Sequence, residues 1–350
     1  MLRALSEYME SHWPFLNERA RRLALDLGCI VRACRPLEYK EDTCPNLNIQ
    51  TTNICNANCV FCAYQYQDHF SPRRGVMSSD VFEKAVHGHK ELGGRSIYIA
   101  PMVGDPLIDP SFVQRLSYVA REGFAVSFVT NGILLKRIDV EGLLRSGVRS
   151  FGLSTGPFEK EIYESIYRNS HYADLLEGVI AFLDTRNRLH ANMTVKMGFR
   201  SSIPKREVLA LPDFRDRIWP LLTEKERNSV DVMTRGFDSW GGEIQQRDLP
   251  GIMRLALVPR VRRRPCQWTF LPAVTWDGLV RACGCRFVRK ELPDGRDELV
   301  VGDIRSLSLS EVWRGKEVRR LRRRFVEGDL PKVCENCAAY RALYHSLRPR

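Results

Sequence analysis

The stretch Cys55-Asn-Ala-Asn-Cys59-Val-Phe-Cys62 brings three cysteines together at spacings of four and three residues. It directly follows residues 47–51, where apolar and polar side chains alternate in the manner of a β-strand. Iron–sulfur clusters are held by cysteine thiolates, usually four. Here no fourth cysteine lies nearby, since the next one upstream, Cys44, lies before the strand. In a 4Fe–4S cluster, or cubane, three thiolates would leave one of the four iron atoms without a protein ligand. A metal centre needs such an open position if it is to bind a substrate directly.

Strand and helix patterns alternate downstream of this stretch. Helical periodicity, N-cap residues and closing glycines predict helices between apolar strands. Such alternation predicts parallel strands with crossover helices, and hence an α/β fold built as a partial (β/α)6 TIM-like barrel. An open doubly wound sheet has the same periodicity and is the alternative. The predicted strands cover residues 47–51, 97–99, 125–129, 150–153, 194–197 and 230–232.

The chain of 350 residues fits two ordinary domains. Gly241-Gly242 and Pro250-Gly251 mark a boundary, after which short strands flank an Asp277-Gly278 hairpin turn. A basic helix over residues 310–325 comes next, with Ser310 as its predicted N-cap. The predicted domains are an N-terminal helical extension over residues 1–44, the barrel over residues 45–245 and a small C-terminal α+β domain over residues 246–350.

The composition, with 44% apolar and 27% charged residues, is typical of a globular chain and excludes a disordered or fibrous one. No stretch approaches the roughly 18 uninterrupted apolar residues of a membrane span. Glu7 and Glu10 interrupt what would have to be the apolar part of a signal peptide. We therefore expect a cytoplasmic protein with no membrane partner, in a reducing compartment where clustered cysteines indicate metal or redox chemistry.

Four of the 11 cysteines form a second predicted site, in the C-terminal domain. The hairpin turn would bring Cys266 and Cys283 to the same end, and Cys334 and Cys337 form a CxxC pair. Four thiolates would ligate a second cluster fully, which suits electron transfer. A structural zinc site also takes four thiolates, but zinc ribbons separate their pairs by about 15 to 20 residues. Cys283 and Cys334 are 51 residues apart, which favours the cluster.

At Cys55, Cys59 and Cys62 the chain resembles the radical S-adenosylmethionine (SAM) superfamily, whose CxxxCxΦC signature has an aromatic residue where Phe61 stands. The resemblance implies that the open iron chelates the amino and carboxylate groups of SAM. An electron from the reduced cluster would then cleave the C5′–S bond, and the resulting 5′-deoxyadenosyl radical would abstract a hydrogen atom from the substrate. Phe61 would lie near the adenine.

Other segments at the ends of predicted strands fit the family pattern. After the second strand, relatives carry a GGEP-type segment that binds the SAM ammonium group. Here Val103 replaces its first glycine and Asp105 replaces its glutamate. A parallel barrel builds its site at these carboxyl ends of the strands. The cofactor-binding residues that the resemblance implies are Phe61, Gly104, Asp105, Thr130, Asn131, Ser154, Arg200 and Met233.

The C-terminal pattern C-x11-G-x4-C followed by CxxC resembles the SPASM region of radical SAM enzymes, in the shortened form called a twitch domain. This resemblance implies one auxiliary 4Fe–4S cluster, with Cys266, Cys283, Cys334 and Cys337 as its ligands. Cys285 is left over. It could replace Cys283 as a ligand, be an inert buried thiol, or donate a hydrogen atom to a substrate radical as a cysteine does in some radical SAM epimerases.

The resemblance thus predicts a radical SAM oxidoreductase. A single auxiliary cluster suggests one-electron oxidation of the substrate radical. Residues 1–44 are short for a leader-peptide recognition domain, which favours a small molecule such as a sugar or aminocyclitol, undergoing dehydrogenation or epimerisation. One alternative is modification of a ribosomally made peptide. Another is a non-enzymatic iron–sulfur electron carrier or sensor, which would not bind SAM and would ligate its first cluster fully.

Much of the net charge of +12 lies in residues 262–264 and 319–324. One interpretation is a solvated helix face. Another is a docking surface for an acidic electron donor such as a flavodoxin or ferredoxin. Basic stripes also bind phosphate non-specifically, but nothing here resembles an RNA-binding module. We therefore expect an electron donor and a small-molecule or peptide substrate as partners, and no nucleic acid.

Overall fold

Six parallel β-strands carry the fold in the computed structural model, which describes residues 18–33, 44–66, 73–262, 264–284 and 297–343. Each strand pairs with its neighbour in sequence, in the order β1 to β6. A doubly wound sheet would reverse its strand order in the middle, so the predicted partial (β/α)6 barrel is confirmed. The strands are β1 (Asn46–Ile49), β2 (Ser96–Ile99), β3 (Ala125–Thr130), β4 (Ser150–Thr155), β5 (Thr194–Arg200) and β6 (Asp231–Met233).

Helices cross over between these strands on the outer side of the sheet. A further helix precedes β1, and a short π-helix (Asp213–Ile218) lies between β5 and β6. The helices are α1 (Glu18–Ala33), α2 (Ser79–Glu91), α3 (Phe112–Arg121), α4 (Val140–Arg145), α5 (Lys160–Tyr167), α6 (Tyr172–Arg188), α7 (Lys205–Ala210) and α8 (Glu224–Asn228).

The two faces of the barrel sheet differ in polarity. In β5, Val195, Met197 and Phe199 are buried in the core with the helices, whereas the alternate residue Lys196 is exposed and Arg200 is half-buried. Because successive side chains of a strand point to opposite faces, the helix side of the sheet is apolar and the inner side is polar. The inner face is therefore free to contact polar ligands rather than filled by apolar core.

The C-terminal strands continue the barrel sheet beyond β1. β9 (Ala273–Val274) pairs with β1 in parallel, and β10 (Leu279–Arg281) and β11 (Val300–Asp303) add antiparallel strands. The predicted hairpin turn joins β9 to β10, with Gly278 at a φ of +89°. β7 (Arg235–Phe237) pairs with β8 (Arg254–Leu255) across the predicted domain boundary, whose position stays a prediction.

The predicted basic helix is two helices, α9 (Leu309–Trp313) and α10 (Lys316–Glu327), followed by α11 (Lys332–Glu335). The prediction that Ser310 caps it is wrong. Ser308 is the N-cap, because its side chain accepts from the Glu311 N–H while the Glu311 carboxylate accepts from the Ser308 N–H. Among the described residues, no helix combines the length and the apolar character that crossing a bilayer requires.

Candidate metal centres

The first cysteine loop lies at the carboxyl end of β1 and is anchored from the side by the end of α5. The Asn58 N–H donates to the Tyr167 carbonyl at 3.0 Å, and the Val60 N–H donates to the Ile166 carbonyl at 2.9 Å. These bonds fix the middle of the loop against a helix that is itself packed in the core. The loop is therefore held by α5 as well as by the strand that precedes it.

The three thiols of this loop act on one another electrostatically. Burial raises the pKa of Cys55 to about 12 and that of Cys62 to about 11. Burial, followed by the neighbouring Cys62 and Cys55, raises the pKa of Cys59. The next cysteine upstream, Cys44, lies elsewhere, with its Sγ 3.8 Å from His89 Nδ1. Cysteine ligates iron as the thiolate and not as the thiol, so cluster binding must release these protons. The donor set fits a cubane with one open iron.

The loops that follow β1, β2 and β3 meet beside Cys55. The Asp105 N–H donates to the Ile54 carbonyl at 2.8 Å. The Asn131 side-chain amide donates to Asn56 Oδ1 at 2.7 Å and lies 3.8 Å from Cys55 Sγ. An amide donor at the thiol is the kind of outer contact that orients a metal ligand and tunes an iron–sulfur centre.

Asp105 is buried, and both of its carboxylate oxygens have partners inside the protein. Its oxygens accept from the Thr130 hydroxyl at 2.9 and 3.0 Å, from the Asn131 N–H at 2.7 Å and from the Leu107 N–H at 3.0 Å. Burial raises the pKa of Asp105 to about 6, and these hydrogen bonds oppose that rise. The carboxylate thus joins the loops after β2 and β3. Its direct contact with the SAM ammonium group stays a prediction.

Gly104 lies so close to the first cysteine loop that a side chain there would crowd two backbone carbonyl groups. Its φ is +126°, and a Cβ there would lie 3.0 Å from both the Thr52 and the Ile54 carbonyl oxygens. We expect Gly104→Ala to lower the free energy of unfolding by about 1–3 kcal/mol more than Gly123→Ala does. Gly123 is the matched control, since its φ is +89° but nothing lies within 4 Å of an added Cβ. Urea denaturation of both variants gives the difference, and equal losses would contradict the close approach.

Aromatic side chains from other segments surround Phe61 of the first cysteine loop. The Phe61 ring centroid lies 5.6 Å from that of Tyr167 and 5.5 Å from that of Phe237. Trp240 Nε1 donates to the Phe61 carbonyl at 3.0 Å, and the Tyr167 hydroxyl donates to the Ser154 carbonyl at 3.0 Å. Tyr167, Phe237 and Trp240 come from separate segments that carry no motif, so the sequence did not indicate them.

Arg200 and Met233 lie beside each other in the register of β5 and β6. The Arg200 charge lowers the pKa of Cys59, opposing the larger effect of burial, so Arg200 lies near the first cysteine loop. With the residues described above, all of the residues predicted to bind the cofactor lie at the carboxyl ends of barrel strands or in the loops that follow them. Their contacts with SAM stay predictions.

The second set of cysteines also comes together. Cys266, Cys283, Cys334 and Cys337 are all buried, and the first three belong to one apolar cluster. Burial raises the pKa of Cys266, and the nearby Cys283 and Cys337 raise it further. Cys29 of α1 packs into the same cluster, which the sequence did not indicate. The candidate hydrogen donor Cys285 lies outside the described residues.

Across the described ranges, no three or more Cys, His, Asp or Glu side chains are arranged to hold a metal ion. Structural zinc at the second site stays the alternative prediction to a cluster.

Two family models match the chain. Residues 49–197 match the radical SAM superfamily, and residues 266–338 match SPASM, an iron–sulfur cluster-binding domain. The first match covers the strands from β1 to β5 with the first cysteine loop. The second begins at Cys266 and covers the other three predicted ligands of the second site.

Curated relatives match at low identity. A GTP 3′,8-cyclase from Limosilactobacillus fermentum is 27% identical over 135 residues, which are 38% of this chain and 40% of that protein. The chain thus matches less than half of the cyclase's length. The tungsten-containing aldehyde ferredoxin oxidoreductase cofactor-modifying protein of Pyrococcus furiosus is 28% identical over 294 residues, 76% of this chain and 80% of that protein.

Solved structures share the fold. BtrN in complex with AdoMet and 2-DOIA superposes with a TM-score of 0.51 at 15% identity, over 87% of this chain and 94% of that chain. SuiB of Streptococcus suis superposes with a TM-score of 0.55 at 13% identity, over 92% of this chain and 78% of that chain. At such identities the likeness concerns the fold, a barrel followed by a C-terminal domain.

Proposed function

Because this chain is a radical SAM superfamily protein with a C-terminal SPASM domain, and accordingly binds 4Fe–4S clusters and SAM, we propose that it is an oxidoreductase acting on a small polar molecule. The observation that carries the proposal is the loop of three thiols at the polar end of the barrel, beside which the described residues place no fourth cysteine. A fully ligated electron carrier would instead need a fourth protein ligand there.

Residues around the first cysteine loop would bind and orient SAM. A cluster held by Cys55, Cys59 and Cys62 would supply the electron that cleaves SAM to the hydrogen-abstracting 5′-deoxyadenosyl radical. Asn131 orients Cys55 through its side-chain amide. We infer that the half-buried guanidinium of Arg200 binds the SAM carboxylate and that the ring of Phe61 packs against the adenine.

The inner face of β1 supports a small hydroxyl- or amino-bearing substrate. Asn48 and Gln50 are 7% and 6% exposed, and within the described part of the chain Asn48 Oδ1 and Gln50 Nε2 have no hydrogen-bond partner. Buried unpaired polar groups are rare and costly, and each requires an explanation. A substrate offering both donors and acceptors would satisfy them. Gly284, the residue after Cys283, lies against Asn48, so these groups lie near the second cysteine site.

Exposed arginines of α10 provide a surface for the proposed acidic electron donor, a flavodoxin or ferredoxin. Arg319, Arg320 and Arg323 are exposed, while Leu321 and Phe325 of the same helix pack against the second cysteine site. A donor bound there would be close to that site, and its attraction to the arginines would weaken as salt is added. Not all of the basic run is solvated, however, because Arg322 is buried.

The test is anaerobic reconstitution followed by incubation with dithionite and SAM. We expect about eight iron atoms per chain, from two cubanes, together with reductant-dependent release of 5′-deoxyadenosine. About four iron atoms with one zinc would place zinc at the second site. Redox-active clusters that never cleave SAM would contradict the proposed enzyme activity and favour an electron carrier.

Assays with polyols and aminocyclitols, run in parallel with assays of short peptides, separate the two substrate classes. The mass of the product separates the two reactions, because a dehydrogenated product loses two hydrogen atoms while an epimer keeps its mass.

A further inference from the structure

Three residues other than glycine have a left-handed backbone in the described ranges. The φ angles of Arg168, His190 and Trp240 are +47°, +49° and +52°. This conformation crowds Cβ against the following carbonyl oxygen, so it is uncommon for residues other than glycine. Where it persists, the surrounding structure holds it, and such residues concentrate at functional sites. Two of the three, Arg168 and Trp240, connect to the first cysteine loop through side-chain hydrogen bonds.

Arg168 reaches the first cysteine loop through Gln65. It ends α5, where its N–H donates to the Glu164 carbonyl at 2.9 Å, at a position that glycine usually occupies. Its Nη1 donates to Gln65 Oε1 at 3.0 Å. The Gln65 amide nitrogen donates to the carbonyls of Cys62 at 3.2 Å and Val60 at 3.4 Å. Because an amide has one oxygen and one nitrogen, the arginine that binds the oxygen turns the nitrogen toward the loop.

Trp240 binds the carbonyl that lies between these two. Its N–H donates to Asp238 Oδ1 at 2.8 Å, an Asx turn that supports the left-handed backbone. Its Nε1 donates to the Phe61 carbonyl at 3.0 Å. The carbonyls of residues 60–62 thus each accept from a side chain outside the loop. This segment carries Cys62, a predicted iron ligand, so the same hydrogen bonds fix the backbone from which that thiol projects.

Packing does not account for the conformation of Arg168. The residue is exposed, and glycine would end α5 without the strain. We propose that Arg168 and Trp240 are positioning residues, whose strained backbones place the donors that fix residues 60–62 and hence Cys62. This inference rests on the proposed function, since it requires a cluster at the first cysteine loop. Because three thiolates alone are predicted to hold that cluster, its retention depends on the placement of each one.

Anaerobic release of iron to a chelator tests the inference without an activity assay. The reconstituted chain also carries Cys334→Ala and Cys337→Ala, so that the released iron comes from the first cysteine loop. Trp240→Phe keeps a ring and the backbone but lacks the donor, and we expect iron release about fivefold faster, the effect of one lost hydrogen bond. Arg168→Gly should accelerate release to a similar extent. It also relieves the backbone strain, so its midpoint of urea denaturation should be at or above the parental value. A residue that merely supported the fold would move both quantities toward instability.

The matched control is His190→Gly, which relieves the same kind of strain in the exposed turn after α6. We expect it to raise the urea midpoint and to leave the rate of iron release at the parental value. If Trp240→Phe and Arg168→Gly release iron no faster than His190→Gly does, the inference is overturned. A lower urea midpoint in Arg168→Gly would show that Arg168 supports the whole fold, and would overturn its positioning role. Absence of iron from the first cysteine loop of the parent would instead overturn the proposed function.

Discussion

Cys59→Ala should reduce 5′-deoxyadenosine formation to the background of a reaction without enzyme. Cys59 is buried and lies between Cys55 and Cys62, the other two thiols of the loop. With two thiolates left, the loop loses a third of its ligands, and metal sites with too few ligands do not hold their metal. Iron content should fall from about eight to about four atoms per chain while the second cluster remains. Anaerobic assay with dithionite and SAM, with iron analysis of the same sample, measures both.

The matched control is Cys44→Ala. Cys44 is as buried as Cys59 but contacts His89, away from the loop. We expect this variant to keep full iron content and SAM cleavage, so that any loss in Cys59→Ala is due to the cluster and not to a truncated core thiol. Persistent 5′-deoxyadenosine formation by Cys59→Ala would contradict the assignment of the first cysteine loop as the SAM site.

The barrel and the two cysteine sets could be predicted from the sequence because their signals are local. Strands such as β5 alternate apolar and polar residues over their whole length, and this pattern follows from one buried face. The first three cysteines lie within one loop, so no long-range contact is needed to bring them together. Even the incorrect N-cap had a local signal, since Ser308 and Glu311 have the spacing of a capping box and Ser310 does not.

Contacts between distant segments could not be predicted. The pairing of β9 with β1 involves two residues of each strand, too few for any periodicity to show. The aromatic group around Phe61 has the same origin, since Trp240 lies 179 residues further along the chain. Such contacts depend on how distant strands and loops come together in the folded chain, and a local pattern contains no information about that arrangement.

The sequence of the basic run over residues 319–324 does not show which of its arginines are exposed and which is buried. A run of arginines on a helix is usually a solvated face, and Arg319, Arg320 and Arg323 are indeed exposed. Arg322 occupies the buried face of α10, where Phe270 and Trp313 enclose its guanidinium. Which arginine of the run turns inward depends on helix phase and on aromatic partners from other segments, so the sequence could not distinguish structural cations from surface ones.

The double substitution Cys334→Ala with Cys337→Ala should separate SAM cleavage from substrate oxidation. It removes half of the predicted ligands of the second site, and iron should fall from about eight to about four atoms per chain. The first cysteine loop is held by α5 and by the loops after β2 and β3, none of which contains these residues. We therefore expect 5′-deoxyadenosine formation to persist, whereas the two-electron oxidised product should fall to background because the substrate radical has lost its electron acceptor.

The matched control is Cys29→Ala with Cys44→Ala, which truncates two buried cysteines outside the predicted ligand sets. Cys29 packs into the same apolar cluster as Cys266, so this variant also tests whether loss of packing alone impairs turnover. Product analysis by mass spectrometry, with 5′-deoxyadenosine quantified from the same reaction, gives the ratio of oxidised product to SAM cleaved. This ratio should stay at the parental value in the control. An unchanged ratio in the variant lacking Cys334 and Cys337 would mean that the substrate radical passes its electron elsewhere, because the second cluster would then be dispensable for oxidation.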